Sequence, residues 1–221
     1  MTTSRRFLLY CPTEGSQYAG EFFGSDRLFD VALNDWTGVG EGLNQADYVF
    51  AERGHKWPCI ATNLPKLHRQ YDLYAFFDFD IEITTRALNR LFLIGEALGL
   101  DLFQAGLGER SYCSHRSLFV KDRSLVRPVN FVEIMMPVFS RRALDRCAPT
   151  FRESESGYGL DFLWGNILNY QNMAVVDAVV AEHPRPFHSP RWRTSAGLTP
   201  AEEMEIVMRK HGLTATGPVN D

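Results

Sequence analysis

The sequence predicts an α/β fold in one domain, and three observations carry that expectation. A chain of 221 residues buries a substantial core and suits one α/β domain better than two. Short apolar runs at residues 6–11, 28–33, 71–80, 102–105 and 173–180 alternate with stretches of helical pattern. The run at 71–80, YDLYAFFDFD, is built of Tyr, Leu and Phe and ends in two carboxylates, Asp78 and Asp80, with only Phe79 between them. Side chains alternate faces along a strand, so the two acids are expected side by side at the carboxyl edge of a sheet. Two anions held that close repel unless a cation sits between them. A hard divalent ion, Mg²⁺ or Mn²⁺, takes oxygen ligands and shares its remaining positions with substrate phosphates. The competing reading is a solvated strand end, and Tyr74, Phe76, Phe77 and Phe79 make the run too apolar for a surface.

The chain opens with a strand at 6–11, closed by Pro12, Thr13, Glu14 and Gly15 as a polar loop. A second strand at 28–33 ends in Asn34 and Asp35. Three glycines follow in 37–42, without the GxGxxG or Walker spacing that a dinucleotide or P-loop site requires. A short strand is expected at 48–52, then Gly54, His55, Lys56 and Trp57, then a helix at about 60–69. Lys56 either meets a phosphate or is simply solvated. Thr84 or Thr85 caps a strong helix with Leu88, Leu91, Phe92, Gly95 and Leu98 near one face and Gly99 as its stop.

Residues 106–127 are polar and carry Tyr112, His115, Arg116, Lys121 and Arg127. The run 130–138 reads as an apolar strand apart from Glu133. An unpaired buried carboxylate costs several kcal/mol, so Glu133 either meets a base such as Arg127 or faces a polar cleft. Ser140 caps a helix reaching Cys147. Gly157 and Gly159 flank a turn that lets backbone and substrate approach closely, and Asp161 opens the helix 161–168, where an acid also favours the helix dipole. The strand 173–180 is followed by Glu182, His183 and Pro184. His183 is either a neutral imidazole ligand or an ordinary strand-end histidine. Thr199, Pro200 and Glu202 stand in capping-box positions for a structural helix over 200–211.

Composition narrows the function. The net charge is -4 with acids and bases mixed along the chain, so nucleic acid is not an expected partner. Cys11, Cys59, Cys113 and Cys147 form no CxxC pair and read as reduced thiols, which favours the cytoplasm. The apolar run after Arg5 and Arg6 is too short for a signal peptide or a membrane span. Peripheral attachment, at the inner face of a membrane, stays open.

Taken together, FFDFD, FVEIMMPVFSRRAL, GYGLDF and VVDAVVAEHPRP resemble the pattern of a glycosyltransferase-like family with the GT-A, nucleotide-diphospho-sugar transferase fold. The resemblance runs from the first strand to about Pro186 and leaves the tail from Ser189 onward, a loop and helix, unassigned. It implies a Rossmann-like mixed, mostly parallel sheet flanked by helices. It also implies a metal-dependent transfer of sugar from a nucleotide-diphospho-sugar donor to a glycan or other hydroxyl acceptor. Carried onto this chain, Asp78 and Asp80 hold Mn²⁺ or Mg²⁺, His183 completes the metal site, and Asp161 deprotonates the acceptor. Lys56, His115, Arg127, Glu133, Gly157 and Gly159 are the expected donor- or acceptor-binding positions. Two rivals remain. A haloacid-dehalogenase-like phosphohydrolase also follows an apolar strand with DxD, but near the start of its fold, and an inactive nucleotide-sugar-binding protein would keep the site without transfer.

Overall fold

The computed structural model describes residues 6–13, 18–67, 70–186 and 192–214. Glu14 and Gly15, the expected helix end at Arg69 and the start of the tail at Ser189 lie outside the described residues. Eight strands among the described residues form one sheet: β1 (Phe7–Pro12), β2 (Phe29–Asn34), β3 (Tyr48–Phe50), β4 (Leu73–Phe76), β5 (Leu102–Leu107), β6 (Arg127–Pro128), β7 (Val138–Ser140) and β8 (Met173–Ala181). Their spatial order is β3-β2-β1-β4-β7-β5-β8-β6. β1 pairs in parallel with β2 and β4, β2 with β3, and β5 with β8. The short β7 runs antiparallel between β4 and β5, and β6 runs antiparallel along β8. The expected mixed, mostly parallel α/β sheet is therefore present.

Alternation along β1 shows why the sheet is buried on both sides. Phe7, Leu9 and Cys11 enter one apolar cluster, while Leu8 and Tyr10 enter the other. Helix α2 (Thr85–Leu98) covers the first face with Leu88, Leu91 and Phe92. The second face is covered by α1 (Lys56–Asn63), α3 (Arg141–Cys147) and α4 (Leu160–Ile167), around Trp57, Phe76, Phe139, Phe151 and Trp164. A last helix, α5 (Pro200–Lys210), packs along α4.

The caps follow the sequence. The Thr84 hydroxyl accepts the Ala87 N–H at 3.2 Å and Gly99 ends α2 in the left-handed region at φ 62°. Ser140 accepts from Ala143 at 3.1 Å, and both bonds of the Thr199–Glu202 capping box are made. Outside the acidic run at 71–80, where β4 covers only Leu73–Phe76, two elements differ from expectation. The first helix begins at Lys56 rather than near Ile60, because Pro58 is tolerated in a first turn that has no N–H partner, and Leu64–Lys66 with Pro65 converts its end to a 3-10 turn. Residues 130–137 are not a strand. They form a loop leading into β7, held by Gln104, whose side-chain oxygen accepts the Glu133 N–H at 2.8 Å. Among the described residues no helix is long and apolar enough to cross a membrane, and all four cysteines are free thiols.

The contact between α2 and β5 is closed by Gly95, where a Cβ would come within 2.0 Å of the Phe103 ring. Gly95→Ala is expected to cost about 1 to 3 kcal/mol by overpacking, read as a lower urea midpoint at unchanged slope. A midpoint equal to wild type would show that the ring yields freely and that this contact does not set the helix position.

Candidate functional site

The carboxyl ends of β1, β2, β4 and β8 meet at one edge of the sheet, where α/β folds bind ligands, and there they surround a cleft of about 660 Å³. Asp78, Asp80, Lys56, Glu133 and His183 all line it. β4 stops at Phe76, so Asp78 and Asp80 sit in the turn beyond it and not in extended strand. Asp78 N donates to Met135 O at 2.8 Å and Ile81 N to Asp78 O at 3.3 Å, which closes the turn. The two carboxylates line the same cleft with different partners: Asp78 Oδ1 meets Lys56 Nζ at 2.7 Å, and Asp80 Oδ2 meets His183 Nε2 at 3.4 Å.

The imidazole of His183 is oriented through its other nitrogen. Its Nδ1 lies 3.0 Å from the Tyr112 carbonyl, so Nδ1–H donates there and Nε2 faces Asp80. Burial alone would lower its pKa, but the hydrogen bonds to Asp80 and Tyr112 and the charges of Asp80 and Asp78 outweigh it and raise the value to about 9. Burial would likewise raise Asp80, and there His183 and Arg185 win and hold it low. At Asp78 the balance goes the other way, with burial keeping the carboxyl above its usual range while Lys56 pulls it down. Among the described residues no three His, Cys, Asp or Glu side chains converge as a ready-made metal cage. The cleft offers the Asp80–His183 pair, with Asp78 beside it tied to an ammonium.

Lys56 Nζ also donates to the carbonyls of Ile134 at 2.7 Å and Met135 at 3.2 Å. Glu133 faces this cleft and does not meet Arg127; its carboxylate accepts the Met135 N–H at 2.7 Å. Burial, with the Asp78 charge adding to it, pushes Glu133 up to about 7. Arg127 is committed elsewhere, 2.9 Å from the fully buried carboxylate of Asp177 and 2.8 Å from the Phe119 carbonyl. His115 packs on Phe131, ring centroids 4.4 Å apart, and neither it nor Arg127 lines the cleft. Asp161 lies in the first turn of α4, 6% exposed and accepting the Phe162 N–H at 2.9 Å. It is not a lining residue, although burial and the nearby Glu133 hold its carboxyl well above the carboxylate range. Gly157 and Gly159 have φ of 85° and 91°. A Cβ on Gly157 would come within 2.7 Å of the Trp57 indole, so this turn is pressed against the cleft wall.

Several lining residues were not singled out from the sequence. Arg185 stacks over Phe79 at 5.0 Å, Arg53 stacks over Trp36 at 4.8 Å, and Trp192 meets His55 edge to face at 5.2 Å. Arg185 stands two residues past His183, and that proximity was the available signal.

The titrations fix a sign for stability. Glu133 and His183 each bind a proton more tightly folded than unfolded. The support from His183 is complete below its ordinary value of about 6.5 and is lost as pH rises to about 9, while Glu133 erodes stability between about 4.5 and 7. The metal-free protein is expected to melt at progressively lower temperature from about pH 6.5 to 9, a loss on the order of 3 kcal/mol, and His183→Gln to flatten that slope. A wild-type slope unchanged in the variant would mean that His183 does not hold its proton this way.

No family model matches the sequence, and no curated protein matches it. Solved structures do. TarS from S. aureus in complex with UDP-GlcNAc superposes with a TM-score of 0.58 at 16% identity, covering 93% of this chain and 65% of that one. The mannosyltransferase PcManGT from Pyrobaculum calidifontis, with GDP-Man and Mn²⁺, gives 0.54 at 14%, covering 85% and 59%. GalNAc-T7 with UDP, GalNAc and Mn²⁺ gives 0.58 at 10%, covering 92% and 47%. The chain thus spans less than two thirds of the length of each. At such identities the likeness speaks for architecture, and the conclusion it carries is that this chain has a GT-A-like fold, shared with glycosyltransferases.

Proposed function

We propose that the cleft transfers a sugar from a nucleotide-diphospho-sugar donor to a hydroxyl acceptor, with a divalent cation, Mn²⁺ or Mg²⁺, held at the Asp80–His183 pair with Asp78 beside it. The observation that carries this reading is that pair at the carboxyl edge of a GT-A-like sheet, 3.4 Å between Asp80 Oδ2 and His183 Nε2, with Nδ1–H already bound to a carbonyl. Two ligand atoms each about 2.1 Å from one ion stand roughly 3.0 to 3.4 Å apart, so the donor set fits a shared cation whose other positions go to phosphate and water. When bound, such an ion supplies positive charge against the departing nucleoside diphosphate. Arg185 adds positive charge on the cleft wall, and the Lys56 bonds to residues 134 and 135 keep Asp78 and Glu133 in register.

In an inverting transfer a carboxylate takes the proton of the acceptor hydroxyl, and the resemblance assigns this to Asp161, which lies buried behind the cleft lining. Glu133 is the second reading, favoured by one observation: it lines the cleft, and burial brings it to about 7, where a general base is most effective. The phosphohydrolase alternative fits less well, because the carboxylates follow the fourth strand in the chain instead of lying near its start.

Two experiments test it. Thermal shift with UDP-GlcNAc or GDP-mannose is expected to show stabilisation that requires Mn²⁺ and disappears in Asp80→Asn, in His183→Gln and in Asp78→Asn, each still folded. Equal stabilisation in wild type and all three variants would remove the metal site. With a donor in hand, transfer by Asp161→Asn and Glu133→Gln is compared: the base variant falls by roughly 10² to 10⁴ with donor binding retained, and the other by much less. Donor binding without turnover in wild type would favour the inactive binding protein.

A further inference from the structure

We propose that Glu203, on the C-terminal helix, is a positioning residue for the cleft: it sets the conformation of the turn at 154–158, whose Glu155, Ser156 and Tyr158 line it. For its effect on turnover, though not on the turn itself, this rests on the transferase reading above. Glu203 is 8% exposed and projects from a helix whose neighbouring Ala201 and Glu202 are exposed and whose other buried residues are Val207 and Met208. A buried carboxylate is costly unless its oxygens are satisfied, and here four neutral donors from one short turn converge on it. Ser154 Oγ donates at 2.9 Å, Glu155 N at 2.8 Å, Ser156 N at 2.9 Å and Ser156 Oγ at 2.5 Å.

The turn is locked from the other side as well. Ser154 Oγ accepts the Gly157 N–H at 2.9 Å, and Gly157 abuts Trp57 and Ile134 too closely to admit a Cβ. Further along, Gly159 abuts Met204 and Val207 of α5, and at the far end Glu153 meets Lys210 at 3.0 Å and His211 at 2.7 Å. Helix α5 therefore lies along the whole segment from Glu153 to Gly159, the stretch that presents Tyr158 to the cleft and delivers the chain to Asp161. Just before α5, Ser195 donates to the Glu155 carboxylate, and that carboxylate lies 3.6 Å from His55 on the opposite lip. A helix that served packing alone would bury apolar groups at position 203 instead of an acid matched to four donors of a single turn.

The test uses the full chain and Glu203→Gln, which keeps the shape of the side chain but replaces one acceptor oxygen with a donor. Hydrogen exchange at the Glu155 and Ser156 amides is expected to accelerate about tenfold or more, with the amides of β1 and β5 unchanged. The nucleotide sugar that binds wild type in the thermal-shift assay, UDP-GlcNAc or GDP-mannose with Mn²⁺, is expected to bind the variant within about twofold, while kcat for its transfer or hydrolysis falls about tenfold or more. Unchanged exchange in a folded variant overturns the proposal. Faster exchange with kcat unchanged also overturns it, leaving Glu203 a purely structural residue. Should Glu203→Gln fail to fold, Ser154→Ala, which removes a buried hydroxyl donor to Glu203 outside the cleft lining, is expected to move both readouts in the same direction by less, and no change there overturns the proposal. If wild type turns over no nucleotide sugar, the transferase reading fails, and the exchange arm still decides whether Glu203 sets the turn.

Discussion

The site depends on a short antiparallel bridge between two distant parts of the backbone. Glu82 N donates to Glu182 O at 2.8 Å and Glu182 N to Glu82 O at 3.0 Å, which stitches the turn after β4 to the exit of β8. Asp80 and His183 each stand next to this bridge, and without it they would belong to separate loops. The side chains of the bridge are managed together: Arg110 meets Glu82 at 2.6 Å and Glu182 at 3.7 Å, and Ser111 donates its hydroxyl to Glu182 while accepting the His183 N–H. Gly108 lies so close that a Cβ would strike the Glu182 carboxylate at 2.2 Å. Two reciprocal backbone bonds are modest energetically, but they fix geometry, and a shared ligand position needs geometry first.

Lys56 does for the other carboxylate what the bridge does for Asp80. Its ammonium joins the first residue of α1 to Asp78 and to two carbonyls of the loop that bears Glu133. Three hydrogen bonds satisfy the three donors of a lysine that is 12% exposed, so its charge is balanced in place and not left waiting for a ligand. Of the two aspartates, one is thus neutralised by the protein itself and the other faces an imidazole whose pKa is raised to about 9. That asymmetry was invisible in the spacing Asp-Phe-Asp.

What the sequence made legible was whatever depends on period and local chemistry. The strand cores, the Thr84, Ser140 and Thr199 caps, and Gly99 as a stop all follow from side chains acting on their own neighbours. Errors arose where tertiary contacts override pattern. Residues 130–137 look like a strand by composition, yet their hydrogen bonds go to Gln104, Lys56 and Asp78 N, so they form a wall of the cleft. Of the two readings of Glu133, a base such as Arg127 or a polar cleft, the second holds, because Arg127 pairs with Asp177, a carboxylate inside the most obvious strand of the chain. That acid in MAVVDAVV posed the same question as Glu133 and was the missed clue. The convergence of Asp78, Asp80 and His183 on one cleft came from fold-level resemblance, since no local rule joins positions so far apart.

The antiparallel β7 stands in the middle of the sheet and is only three residues long, with three register pairs to β4 and two to β5. By contrast β1 and β2 share six, as do β5 and β8. The sheet is therefore two well-zipped leaves joined along a thin seam, and the seam is where backbone cohesion is lowest. On the cleft side that seam is crossed by the Glu82–Glu182 bridge and by Lys56, each reaching from one leaf to the other. Anything held jointly by Asp80 from one leaf and His183 from the other becomes a further rivet across the same line, so filling the cleft adds to the stability of the fold in proportion to how tightly the native state holds its ligand.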